Sequence, residues 1–113
     1  MPYEDEDYTK AVRELNDLFR STFIGGRVVL TMGVQDLPVK DREAIVTNVR
    51  TFHTFDSGMD PHEEHDFGAF DYEGQKVFFK IDYYDPTRQW HSEDASDPSK
   101  TVRVLTIMLA EEY

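Results

Sequence analysis

Between residues 65 and 84, two aromatic and β-branched runs flank the dipeptide Glu73-Gly74, a pattern that admits little besides a β-hairpin. A two-residue turn there sets the register: Tyr72 opposite Gln75, Phe70 opposite Val77, Phe67 opposite Lys80 and His65 opposite Asp82. Side chains alternate across a strand, so the register also sorts the faces. Phe70, Tyr72, Val77, Phe79, Ile81 and Tyr83 form an apolar face that helices must cover. His65, Phe67, Asp71, Lys76, Lys80, Asp82 and Tyr84 fall on the other.

The remaining elements follow from periodicity. Tyr8, Ala11, Val12, Leu15, Leu18, Phe19 and Phe23 recur every three to four residues, as on one helical face, and Gly25-Gly26 stops the run. Acids at 4–7 suit the positive end of that helix dipole, and Arg20 the other end. Residues 27–32 read as a strand, with Val28, Leu30 and Met32 alternating. Residues 35–38 are a connection, and 39–52 a second helix with Ile45, Val46, Val49 and Phe52 on one face. Gly58, Pro61 and many acids make 53–64 a loop. Asp85-Pro86 and Asp97-Pro98 bracket a polar loop carrying Trp90 and His91, and 101–109 closes the chain as a strand. The expected architecture is α+β: one domain over 1–113 with a mobile acidic segment at 1–7. Its four-stranded, mostly antiparallel sheet carries two amphipathic helices on one face, in the order α-β-α-β-β-β.

At 113 residues, of which 39% are hydrophobic and 13% aromatic, the chain can bury one core but not two. The absence of cysteine excludes disulfides, thiolate nucleophiles and cysteine zinc sites, and fits a reducing compartment. The first residues lack the basic and apolar regions of a signal peptide, and no apolar run approaches the roughly 18 residues of a membrane span. A cytoplasmic protein is expected. Twenty-three acids against 12 bases give a net charge of −11, which repels nucleic acid and anionic lipid and attracts basic surfaces. Direct nucleic-acid or membrane binding is therefore not expected; a basic protein partner is.

Three places hold residues suited to chemistry. On the open sheet face a carboxylate beside an imidazole would orient a general base, which makes His65 and Asp82 the candidate catalytic pair, with Lys80 to hold an anion and Tyr84 nearby. Ordinary cross-strand charge pairing explains the same pattern without function. The run 60–66 is the densest set of metal-ligand types, with His62 and His65 spaced so that a helix would align them. It lacks the zinc-protease spacing, and a solvated acidic loop is the better account of it than a metal site. Trp90 lies in a loop, where an aromatic has more reason to be a lid or contact residue, although folding back over the edge of the sheet is the commoner outcome. No glycine-rich phosphate loop and no nucleophile elbow occurs, and no cofactor is expected.

The segments Glu64-His65-Asp66-Phe67-Gly68-Ala69-Phe70 and Lys80-Ile81-Asp82-Tyr83-Tyr84-Asp85, with the ending from Arg103 to Tyr113, resemble a bacterial family known as domain of unknown function 3768. The resemblance also takes in Leu15-Asn16-Asp17, Phe19-Arg20 and Gly25-Gly26-Arg27. It implies a small stand-alone bacterial protein with a cytoplasmic accessory role, including the biology of mobile elements, and brings no activity. With the charge, it leads to the expectation of a non-enzymatic inhibitor of the anti-CRISPR or anti-restriction type. Such a protein occupies the nucleic-acid-binding surface of a defence complex by charge mimicry. The expected contacts are Asp56, Asp60, Glu63, Glu64, Asp66, Trp90, Glu93, Asp94 and Asp97. The alternative is a small enzyme or metal-binding domain built on His65 and Asp82.

Overall fold

The computed structural model describes residues 6–113. Helix α1 (Glu6–Thr22) leads into strand β1 (Gly26–Leu30), a single-turn helix α2 (Met32–Gln35) and helix α3 (Val39–Thr51). After a loop come β2 (Phe67–Tyr72), β3 (Gln75–Tyr84) and β4 (Val102–Leu109), with 3-10 turns at Pro98–Lys100 and Ala110–Glu112. Of the acidic segment expected to be mobile, residues 1–5 lie outside the described residues, while Glu6 and Asp7 form the first turn of α1.

The sheet order is β1-β4-β3-β2. The hairpin has the expected register, from Tyr72 opposite Gln75 to Phe67 opposite Lys80. Its turn is tight because Glu73 and Gly74 both have positive φ, 48° and 82°, the requirement of a type I′ turn. Strand β4 lies antiparallel to β3, whereas β1 joins the other side of β4 in parallel. The fold is α+β with a mixed sheet, antiparallel except at that one edge. From β1 the chain crosses through α2 and α3 to the far edge and returns, so β4 enters beside β1 running the same way.

The core lies on one face. Val77, Phe79 and Ile81 of β3 with Leu105, Ile107 and Leu109 of β4 pack against Val12 and Phe19 of α1, Val34 of α2, and Ile45 and Val49 of α3. Gly68 lets β2 approach this layer, since a Cβ there would stand 2.4 Å from the Phe79 ring. The two long helices also satisfy each other's ends. The buried Arg20 guanidinium of α1 donates to the carbonyls of Val49 and Phe52 at 2.9 Å, at the end of α3. Arg50 Nε of α3 donates to Ser21 O at 2.9 Å, at the end of α1.

Two expectations are corrected. Met32 does not continue the first strand; it opens α2 and is exposed. Glu112 imposes this turn from the far end of the chain, accepting hydrogen bonds from the Thr31 hydroxyl at 2.6 Å and Gly33 N–H at 2.8 Å. The hairpin begins at Phe67 rather than His65, because Glu63 and His65 have φ of 59° and 57° and turn the backbone out of the strand.

Candidate functional site

That turn decides where His65 goes. Its ring leaves the open face, stacks on Phe55 at 3.9 Å between centroids with 4° between planes, and meets α1. Nδ1 lies 2.8 and 3.1 Å from the Asp17 carboxylate oxygens, and Arg20 holds the same carboxylate at 3.0 Å. Nε2 stands 3.9 Å from Asp60 Oδ2. Asp60 is only 4% exposed, and its Oδ1 accepts the His65 backbone N–H at 3.1 Å. Burial raises the Asp60 carboxyl above its usual range, against the lowering effect of the His65 backbone N–H. A cleft of about 380 Å³ opens here, where Arg13, Ser57 and Glu63 join His65 and Asp60.

The expected His65–Asp82 pair is not formed. Asp82 remains on the open sheet face, paired with Lys80 at 3.1 Å, and Tyr84 is on that face with it. This is ordinary charge pairing between neighbours on one face of a strand. Nor are His62 and His65 aligned by a helix: residues 57–64 form turns and bends, and His62 lines a neighbouring cleft of about 440 Å³ with Glu6, Lys10 and Arg13. Among the described residues, no three His, Cys, Asp or Glu side chains stand together as a metal would require.

Next to His65 lies a buried polar network. Asn16, fully buried on α1, donates through Nδ2 to Tyr83 Oη at 2.8 Å and Glu64 O at 2.9 Å, and accepts from Arg103 Nε at 2.7 Å. Tyr83 in turn donates to Glu64 Oε1 at 2.8 Å, and Arg103 donates to Ala95 O. The network ties α1, β3, β4 and both long loops at one end of the sheet. Each member is partnered, as buried polar groups must be. Burial raises the Tyr83 phenol, with Glu64 adding to the effect. Burial also pushes the Asp66 carboxyl up to about 6, helped by repulsion from Glu64 and Asp60.

The other expected contact residues occupy two settings. Asp56 caps its own turn by accepting from Gly58 and Met59 N–H; Asp97 caps the first 3-10 turn, and hydrogen bonds from Ser99 hold its carboxyl below the usual range. Asp94 accepts from Ser96, and Glu93 lies 3.4 Å from Lys100. Glu63 is exposed. Trp90 is 72% exposed, on a loop closed by the Tyr84–His91 bridge and by Asp85, which accepts from Thr87, Gln89 and Trp90. It does not fold back onto the sheet.

Asp17, Arg20, Asn16 and Phe55 were not among the expected site residues. Asn16 was findable, since it follows Val12 by four residues and thus lies on the apolar face of α1, where an amide needs buried partners.

No curated protein and no solved structure matches the chain. Residues 30–112 match the model of a protein family of unknown function, DUF3768; the resembling residues between Leu15 and Arg27 lie outside that range. The matched range contains His65, Asp60, Asp66, Tyr83 and Arg103, and covers most of the chain. The chain therefore belongs to the DUF3768 family.

Proposed function

We propose that this is a small acidic binding protein whose carboxylate-rich end occupies a basic protein surface, one that otherwise holds nucleic acid. The observation that carries the reading is the crowding of Asp60, Glu64 and Asp66. Burial raises Asp66 to about 6, and repulsion from Glu64 and Asp60 adds to it, a cost to the fold that a cationic partner would relieve in part. The first turn of α1 and the 93–97 loop bring further acids alongside: Glu6 and Asp7 flank the His62 cleft, and Glu64 and Asp94 both act on Tyr8. Many of these carboxylates are held by turn and capping hydrogen bonds, so little ordering entropy remains to be lost on binding. Trp90, exposed on a loop whose backbone Asp85 holds, supplies an aromatic anchor. A cytoplasmic inhibitor of the anti-CRISPR or anti-restriction type fits this surface. The test is recovery of partners from a cell lysate at low salt. A basic nucleic-acid-binding protein should be retained, elute as salt rises, and lose its nucleic acid when the chain is added. Retention of no such protein, or of one whose nucleic acid stays bound, sinks the reading.

One observation favours a second reading. Asp17 fixes the His65 ring through Nδ1 in the manner of an oriented general base, at the wall of a cleft that also holds Ser57 and Arg13. In a small enzyme of this kind, His65→Gln would abolish the biological effect while leaving partner retention unchanged; an unaltered effect removes the enzyme.

A further inference from the structure

The free edge of β2 offers a backbone counterpart to the acidic end. Ile81 N–H donates to Asp66 O at 2.8 Å, so residues 66 and 81 are a hydrogen-bonded pair of the antiparallel ladder. Such pairs alternate along the strands: Gly68, Phe70 and Tyr72 turn their N–H and C=O groups toward β3, and Phe67, Ala69 and Asp71 turn theirs outward. β2 is the last strand of the sheet on that side. Three donors and three acceptors therefore face away from the sheet in a row, a template for an added strand. Alongside them runs a groove of about 230 Å³, where Phe52, Phe55, Met59 and Asp56 stand opposite Phe67 and Ala69.

Charge selects the occupant. Asp56, Asp71 and Glu73 are exposed along this edge, and the two lysines across from it on β3 are each paired with a carboxylate, Lys76 with Asp71 at 3.4 Å and Lys80 with Asp82 at 3.1 Å. A second copy of a chain with charge −11 would bring like charges together, and the opposite edge, β1, carries the exposed Arg27. At its start the strand adjoins the half-buried Asp66, so a cationic side chain on an added strand would stand beside that carboxylate.

We infer that an extended basic segment of the partner adds to the free edge of β2 as a fifth strand, its backbone pairing with Phe67, Ala69 and Asp71. Alternate side chains then enter the groove or meet Asp56 and Asp71. This rests on the acidic-binding reading and specifies how the partner docks.

The probes are a capped peptide of four Arg-Val repeats and spermine, which carries the same charge without a peptide backbone. Hydrogen exchange on the intact chain should show the amides of Phe67, Ala69 and Asp71 protected by the peptide and not by spermine. Ala69→Pro removes an outward donor while leaving the β2–β3 ladder intact, so the variant should unfold like the parent. It should bind the peptide at least about tenfold more weakly, through loss of hydrogen bonds at the edge, and bind spermine unchanged. Peptide binding without protection of those three amides, or with Ala69→Pro undiminished, overturns the added strand and leaves the charge reading standing. If neither peptide nor spermine binds at low salt, the charge reading falls as well. Should Ala69→Pro fail to fold, the exchange measurement on the parent chain decides.

Discussion

Asp66 is where the chain sacrifices stability most visibly. Its folded carboxyl titrates near 6 rather than 3.8, so between those values the folded state holds a proton that the unfolded state has released. Stability from this group is therefore highest below about pH 4, falls as pH rises through 6, and is level above. Asp66→Asn removes the titration. Denaturant unfolding at pH 7.5 should show the variant about 1 kcal/mol more stable, less than the full shift would give because solvent screens part of it. Its stability should also decline less between pH 4 and 6.5; the remaining decline belongs to Asp60, which burial shifts the same way. A variant less stable than the parent at pH 7.5 would mean that the Asp66 charge has a compensating partner. Asn16 is the contrasting residue at the same end: buried but uncharged, it has its amide nitrogen and its carbonyl oxygen both partnered.

At the level of elements, the hairpin was legible because its determinants are local. Alternation and a turn dipeptide suffice to place Tyr72 against Gln75, and the observed register follows. The turn is nonetheless imperfect, for Glu73 takes φ of 48°, where a residue with a Cβ is strained and asparagine least so. Glu73→Asn should stabilise the fold by about 0.5–1 kcal/mol, read as an upward shift of the thermal midpoint. No gain would indicate that the Glu73 side chain contributes more than the strain costs. α1 and α3 were legible from their apolar periodicity, but their mutual capping by Arg20 and Arg50 was not, because each arginine reaches across to the other helix. α2 was missed for the same kind of reason. It is one turn long, too short for periodicity to register, and Glu112 of the C-terminal turn pins it.

Over the whole molecule the net charge of −11 works against compactness, since 23 acids stand against only 12 Lys and Arg. The longest extent is 44 Å, several times the screening length of about 8 Å at physiological salt, so a partner meets the local charge of one end and not the total. Salt should therefore act oppositely on fold and binding. Raising it from low to physiological values should lift the unfolding midpoint by relieving self-repulsion and weaken retention of any basic partner. Thermal scans across that range check the first effect, and a falling midpoint would show that the paired charges outweigh the repulsion.

Fold class, hairpin register and the acidity of the two long loops followed from the sequence, because periodicity, turn chemistry and net charge are properties of neighbours along a chain. The position of β1 beside β4 and the direction of the His65 ring were decided only in the tertiary structure. The first depends on how the chain returns across the sheet. The second hinges on two residues of positive φ that carry His65 from the face of Asp82 to the side of Asp17, a partner 48 residues away.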